Sequence, residues 1–331
     1  MLLPRKLKFF LNFFIGPLLF IGIAFSIYRQ VLHQENISEK WQAILHSLEE
    51  KGLSLLLLVT LLMLVNWSIE SIKWQVLLSH LIKIKFLSAF RSVISGVAFT
   101  MITPNRMGEF IGRVFYVPEG NRIRAAALTM VGSASQLIIT LSGGIIGLLS
   151  LRGYLSNQHT GSQGLSLLWL NGLIAGTTFI VAGILLFYFR ISWLIKIIDK
   201  IPQFSRYAYF IEPLEEVGTK ELIKILILST IRYAVFIIQY WLIFKLFDVD
   251  LLTWQVMGTV SVLFLVLAVV PTIALAELGI RSKASIALFS IFSTNTLGIL
   301  VATASIWLIN IIFPAVAGSL FVLGVKLFGR A

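Results

Sequence analysis

The chain has 331 residues, of which 58% are hydrophobic and 13% charged, and its formal net charge is +12. A soluble chain of this size could not bury so much apolar surface, so the composition excludes a soluble globular protein and predicts a single polytopic membrane domain over residues 1–331. The sequence has no cysteine, which excludes disulfides and thiol-based metal sites, and its Lys and Arg residues fall in short loops that suit anionic lipid rather than nucleic acid.

The first predicted element is a membrane span over residues 9–28, which is long enough for a bilayer at ~1.5 Å per residue. Its N-terminal flank is basic, and basic flanks mark the cytoplasmic side of a membrane. The segment 29–51 carries several glutamates and few cations, so it is predicted to lie outside. We therefore expect the N-terminus in the cytoplasm.

The first half of the chain is predicted to occupy residues 52–151. Near the end of its first span, Glu70 and Lys73 are interpreted as structural residues at the membrane interface. Trp67 and Trp74 are interpreted there as interfacial anchors. The last span of this half is rich in small residues, which let helix backbones approach closely.

A re-entrant hairpin is predicted within this half, over residues 86–117. Pro104 interrupts an apolar run, and a helical pattern resumes with Glu109 and Arg113 one turn apart. Both flanks of the segment are basic, so both ends are predicted on the cytoplasmic side. Such a segment must enter the membrane and return, with its irregular tip enclosed by other helices or a cavity.

The second half is predicted to occupy residues 221–325, after a cytoplasmic amphipathic linker over 190–220. Pro271 breaks an apolar run in this half, which predicts a second hairpin over 251–292 that enters from outside. The last span ends in a basic segment, so we expect a cytoplasmic C-terminus. This topology leaves open which side Arg281 and Lys283 face.

The two breaks repeat at one spacing. Pro271 follows Pro104 by 167 residues, and the pair Glu277 and Arg281 follows its counterpart in the first hairpin by 168. Broken hydrophobic segments at matching places in two halves indicate the binding site of a transporter built from inverted repeats. The predicted fold is therefore all-α, with about six full spans and two re-entrant helical hairpins arranged as an inverted repeat.

The chemistry predicted at the hairpin tips is the binding of an anionic head group. Helix N-termini carry free N–H groups and partial positive charge, and arginine suits phosphate. Ionised side chains inside a bilayer usually face a cavity or a partner. The predicted site comprises Thr103, Pro104, Asn105, Arg106, Glu109, Arg113, Arg232, Pro271, Thr272, Glu277 and Arg281.

An alternative interpretation of the two Glu–Arg pairs stays open, because pairs at this spacing also form simply to neutralise each other. Arg232 is predicted to contact a carboxylate, such as Glu109 or Glu277, or a ligand, and the sequence does not choose between them. The sequence contains no nucleophile motif, phosphate-binding loop or metal-ligand cluster. We therefore expect no enzyme activity, no cofactor and no metal site.

At these residues the sequence resembles a known family. Thr103-Pro104-x-Arg106-x-Gly108-Glu109 with Arg113, and Pro271 followed by Glu277-x-Gly279-x-Arg281, are similar to the two signature stretches of the lysylphosphatidylglycerol synthase transmembrane-region family, which are flippase-like membrane proteins. The resemblance covers about residues 52–325. Residues 272–276 depart from the family's glycine-rich stretch, and the soluble aminoacyl-transferase domain of the synthases is missing, so the resemblance implies lipid handling rather than lipid aminoacylation.

The predicted function is a lipid transporter or flippase-like protein of a bacterial-type inner (plasma) membrane. It would move or bind an anionic phospholipid or a polyprenyl-phosphate head group between leaflets. Two alternatives remain: a non-catalytic membrane partner of a lipid synthase or glycosyltransferase, and a small-solute secondary transporter. The expected partners are thus membrane phospholipid or a lipid-linked phosphate, with a lipid-modifying enzyme or glycosyltransferase as a possible protein partner and no nucleic acid.

Overall fold

The computed structural model describes residues 52–101, 103, 108–156, 167–190, 213–270 and 274–323, and four isolated positions (38, 42, 46 and 49) before them. Helices account for nearly all of these residues. The all-α, polytopic fold predicted from the sequence is confirmed. The predicted first span over 9–28 and most of the predicted linker over 190–220 lie outside the described residues.

The first half contains a long helix, a pair of short helices and a second long helix. The helices are α1 (Leu53–Leu78), α2 (Phe86–Thr100), α3 (Gly108–Val114), α4 (Arg122–Ser150) and α5 (Arg152–Leu155). A single-turn 3₁₀ helix, Glu119–Asn121, leads directly into α4. A peripheral helix, α6 (Leu167–Phe189), follows and packs mainly on α4.

The second half repeats this order. Its helices are α7 (Pro213–Glu216), α8 (Thr219–Leu246), α9 (Thr253–Val269), α10 (Ala274–Phe289), α11 (Thr296–Trp307) and α12 (Phe313–Leu323). A π-helical turn, Leu308–Ile312, joins α11 to α12 into one continuous rod.

Helix length separates the spans from the short helices. Four rods are long and apolar enough to cross a bilayer: Leu53–Leu78, Glu119–Ser150, Leu167–Phe189 and Thr296–Val322. Helix α8 has 28 residues and is long enough as well. Helices α2 and α9 have 15 and 17 residues, or about 22 and 25 Å at 1.5 Å per residue, which is short of the ~30 Å hydrocarbon core.

Helices α2 and α3 form a tight antiparallel hairpin. Gly96 of α2 lies against Gly112 of α3, where neither residue has room for a Cβ. Nearer the open end of the hairpin, Ser92 Oγ donates to the backbone oxygen of Arg113 at 3.0 Å. Glycine on both helices therefore brings their backbones together and fixes where α3 can lie.

Helices α9 and α10 form the corresponding hairpin of the second half. Trp254 at the start of α9 and Phe292 just after α10 have ring centroids 6.0 Å apart, so the two helices are antiparallel. Tyr154, which follows α4, lies 4.9 Å from the Phe292 ring. The end of α4 and the open end of this hairpin therefore share one face of the bundle.

The first hairpin opens on the opposite face. There, buried residues from its two ends and from the start of α4 pack with residues from the end of α6 and the start of α8. Tyr188 of α6 donates to the backbone oxygen of Leu222 in α8 at 3.0 Å. The two hairpins thus enter from opposite faces, as an inverted repeat requires.

Each hairpin also packs on the other half. Gly318 of α12 contacts the backbone of Ile94 in α2, and Gly147 of α4 contacts Ser261 of α9. Gly318 follows Gly147 by 171 residues and Ser261 follows Ile94 by 167, so the two contacts lie at similar places in the two halves, within about one helical turn. The small residues of α4 predicted that helix backbones approach closely there. Gly147 confirms this, because a Cβ on it would lie 2.7 Å from the Gly258 carbonyl oxygen of α9.

Helices α1 and α8 cross antiparallel between the two halves. Gln239 Nε2 donates to the backbone oxygen of Val59 at 3.0 Å, and one to two turns away Arg232 Nε donates to Asn66 Oδ1 at 2.5 Å. Polar side chains of α8 thus bond to α1 at two levels of this crossing.

Candidate head-group site

One face of α1 carries polar residues into the bundle interior. Asn66, Glu70 and Lys73 follow one another at spacings of four and three, which places them on a single helical stripe. Glu70 and Lys73 are only 3% and 1% exposed. The stripe faces α3, α4 and α8, which agrees with the structural role predicted for Glu70 and Lys73. The depth of the pair at the membrane interface stays a prediction.

Glu70 is bound by three cations from three different helices. Its Oε1 accepts from Arg113 Nη2 of α3 at 2.7 Å, and its Oε2 accepts from Lys73 Nζ at 3.1 Å and from Arg232 Nη1 of α8. Lys73 also donates to the backbone oxygen of Gly132 in α4, at 3.3 Å. The Glu70 carboxylate therefore joins α1 and α3 of the first half to α8 of the second, and Lys73 adds a bond to α4.

Two tryptophans line the charged cluster. The guanidinium carbon of Arg113 lies 5.6 Å from the Trp74 ring centroid, and that of Arg232 lies 5.3 Å from the Trp67 ring centroid. Trp74 is fully buried, and its indole N–H donates to Ser92 Oγ at 3.1 Å. The interfacial position predicted for Trp74 is therefore wrong, because the ring stacks with a buried cation instead.

Arg113 binds a second carboxylate. Glu109, one turn earlier on α3, accepts from the same Nη2 atom that binds Glu70. Arg113 is 1% exposed at its side chain and Glu109 is 26% exposed. Arg113 Nε is buried without a hydrogen-bond partner within the described part of the chain. The arginine is thus incompletely satisfied although two carboxylates contact it.

The described part of the tip of the first hairpin is held by Thr103. Its hydroxyl accepts from the backbone N–H of Gly108 at 2.6 Å and donates to the backbone oxygen of Phe99 at 3.0 Å. The hydroxyl thus links the end of α2 to the start of α3. Pro104, Asn105 and Arg106, which were predicted to contact the head group, lie outside the described residues.

The second hairpin carries a smaller cluster. Arg281 Nη2 donates to Glu277 Oε1 at 2.7 Å, and Arg281 Nη1 donates to the hydroxyl of Tyr240 at 3.3 Å. Both side chains of the Glu–Arg pair are largely buried, whereas Lys283 is exposed. Pro271 and Thr272, also predicted here, fall among the residues that the structure leaves undescribed.

The predicted site residues thus fall into two groups. Arg232 pairs with Glu70, which was outside the predicted set, rather than with Glu109 or Glu277. Tyr240 of the second cluster lies eight residues after Arg232 on α8, which is about 12 Å along the helix axis. Residues 104–107 and 271–273 lie outside the described part of the chain, so an approach of the two hairpin tips to each other stays a prediction.

The site as built has an excess of positive charge. Three cations, Lys73, Arg113 and Arg232, meet the carboxylates of Glu70 and Glu109. Besides Arg113 Nε, the buried Asn66 Nδ2 and Trp67 Nε1 have no hydrogen-bond partner in the described structure. A cluster of donors with one surplus positive charge is suited to an anion.

Comparison with known proteins identifies the family. The family model of the lysylphosphatidylglycerol synthase transmembrane region matches residues 13–318. The chain belongs to this family. Neither the comparison with curated proteins nor the comparison with solved structures gives a match. As a member of the lysylphosphatidylglycerol synthase transmembrane-region family, the chain is a multi-pass membrane protein of a type associated with lipid handling.

The sequence contained a signal for the residues that were missed. The stripe of Asn66, Glu70 and Lys73 ends beside Trp74 on an otherwise apolar helix, and polar residues on one face of a membrane helix normally point into the protein. The partners of that stripe lie 43 and 162 residues away, at Arg113 and Arg232. Local spacing carries no information on such pairings.

Proposed function

We propose that this chain binds the anionic head group of a phospholipid or of a polyprenyl phosphate and moves it between leaflets. One observation carries the proposal: among the described residues, three buried cations meet one buried carboxylate, Glu70, and one partly exposed carboxylate, Glu109. An unmatched cation in a bilayer interior is costly, so a site that keeps one is suited to receive an anion. Guanidinium groups bind phosphate oxygens strongly.

The position of the cluster supports transport rather than simple binding. Arg113 belongs to the first hairpin and Arg232 to the second half, so an anion that binds both guanidinium groups would change contacts across both halves. A ligand shifts a conformational equilibrium only through such differential contacts. The halves would then rock against each other around the site, with the acyl or prenyl tails remaining in lipid.

The proposed location is a bacterial-type plasma membrane. We place the chain in a bacterial-type plasma membrane with both termini in the cytoplasm, because the loops that lead into the first hairpin and into α4 are basic. The chain would act without catalysing a covalent step. Its partner would be the lipid itself.

The test is transport in liposomes that contain the purified protein. Labelled phosphatidylglycerol and labelled polyprenyl phosphate report movement between leaflets, and labelled diacylglycerol, which has no phosphate, reports non-specific leakage. Arg113→Gln and Arg232→Gln should each lower the phosphate-dependent rate at least tenfold, because each removes a donor and a charge from the site. Elution volume and melting temperature show whether each variant is folded.

Arg122→Gln is the matched control. Arg122 is also an arginine of the first half, but it lies near the bundle surface and pairs with the exposed Glu119 at 3.5 Å. Its substitution should leave the rate unchanged. Folded Arg113 and Arg232 variants with the wild-type rate, or a wild-type protein that moves neither phosphate lipid, would overturn the proposal.

A further inference from the structure

The two carboxylates that bind Arg113 differ in how firmly they are held. Glu70 is buried and contacts three cations, whereas Glu109 is 26% exposed and has one ion-pair partner among the described residues. Glu109 can therefore leave Arg113 by rotating its own side chain. Glu70 could leave only by separating from cations on three helices.

The backbone of α3 cannot move with Glu109. Gly96 of α2 lies under this turn, and a Cβ there would come within 2.9 Å of the Glu109 carbonyl oxygen. One turn later Gly112 is packed on Gly96 without space for a Cβ. Close packing thus holds the backbone and leaves the side chain of Glu109 as the mobile part.

The charge balance changes when Glu109 leaves. With Glu109 in place, three cations meet two carboxylates; without it, they meet Glu70 alone. The excess then rises from one positive charge to two, which a doubly charged phosphate monoester balances and a phosphate diester lowers to one. Arg113 Nη2 keeps its hydrogen bond to Glu70 and frees the one to Glu109. Arg113 Nε, buried and unpartnered in the described structure, adds a second donor beside it.

The second hairpin lacks this arrangement. Its glutamate, Glu277, is 11% exposed at the side chain, and Arg281 also contacts the hydroxyl of Tyr240. Of the two described Glu–Arg pairs, the one in the first hairpin therefore has the more exposed carboxylate.

From this we infer that the carboxylate of Glu109 occupies the phosphate subsite of Arg113 and must be displaced when a phosphate head group binds. The inference rests on the proposed function and specifies where the phosphate binds and what competes with it. Glu109 is thus a built-in competitor that sets the affinity of the site. Its carboxylate returns to Arg113 when the lipid leaves, so the arginine again contacts two carboxylates.

Binding to purified protein in a neutral detergent tests the inference. The probes are dioctanoyl phosphatidylglycerol and farnesyl phosphate, with dioctanoylglycerol as the lipid that lacks a phosphate. Glu109→Gln, which keeps the shape and removes the charge, should bind both phosphate lipids at least tenfold more tightly than the wild type does. Glu109→Ala should behave in the same way. A loss of structure would lower affinity, so a gain cannot come from damage.

Glu119→Gln is the matched control. Glu119 also pairs with an arginine of the first half, but it is 76% exposed and lies outside the cluster. The Glu119→Gln variant should bind both phosphate lipids with the affinity of the wild type.

Equal or weaker binding by the Glu109 variants, with clear binding by the wild type, would overturn this inference and leave the proposed function in place. Absence of binding by the wild type and by both variants would overturn the proposed function as well. Failure of both variants to fold would also overturn the inference, because Glu109 would then be a structural requirement rather than a displaceable group.

Discussion

Glu70 has two roles that are difficult to separate, because the carboxylate that prepares the cations for a ligand also holds the bundle together. Removing one member of a buried ionic network is more costly than removing the whole network, since the remaining charges are left without partners. The cations that remain without Glu70 would be Lys73, Arg113 and Arg232. The spacing of Asn66, Glu70 and Lys73 in the sequence indicates a polar stripe on one face of α1. The partners of the stripe depend on how distant helices pack, which the spacing does not show.

Glu70→Ala should therefore lower the free energy of unfolding by about 3–5 kcal/mol. Glu216→Ala, at an exposed position of the short helix α7, should change it by about 0.5 kcal/mol or less. Denaturant unfolding in micelles measures both values. The double variant Glu70→Leu, Arg232→Leu should lose less than the sum of its single changes, because it removes both partners of a contact. Additive losses would mean that the two side chains are not coupled.

The glycines of this chain have different surroundings in different helices. In α4, Gly147 packs against α9, and in α12, Gly318 packs against α2, whereas nothing lies within 4 Å of a Cβ built on Gly176 of α6. Sequence alone predicted close packing from small residues, and this was correct for α4. It could not tell a glycine at a helix contact from one on the periphery, since both follow the same local pattern.

Gly318→Ala should destabilise the protein by about 1–3 kcal/mol relative to Gly176→Ala, because the new methyl group meets the Ile94 backbone and pushes α2 away. The comparison between two glycine-to-alanine changes in membrane helices cancels the gain in helix propensity that both share. Thermal unfolding of the two purified variants measures the difference. Equal melting temperatures would show that α12 and α2 do not touch as described.

The symmetry of the whole molecule was more predictable than its chemistry. Pro104 and Pro271, at one offset with a Glu–Arg pair after each, predicted two short helix pairs in two related halves, because a proline break leaves a trace in the sequence. The pairing of the charges across helices leaves no such trace. By the 168-residue offset, Glu70 corresponds to Ile238 and Arg232 to Leu64, so the repeat itself gives no indication that these charges meet. The two halves thus share an order of helices and differ in their charges.

Opposite entry of the two hairpins can be tested by labelling, since the chain has no cysteine and any introduced one is unique. Lys83→Cys and Glu119→Cys flank the first hairpin at exposed positions, and Asp250→Cys and Thr294→Cys flank the second. A membrane-impermeant maleimide should label the first two only in inverted vesicles and the last two only in intact spheroplasts. The physical reason is length: α2, at about 22 Å, cannot cross the hydrocarbon core, so the chain must return to the side from which it entered. If the two positions that flank either hairpin were labelled from opposite sides, that segment would cross the membrane. The two halves would then not be inverted, and their alternating movement could not bring a lipid head group to the cluster around Glu70 from each side.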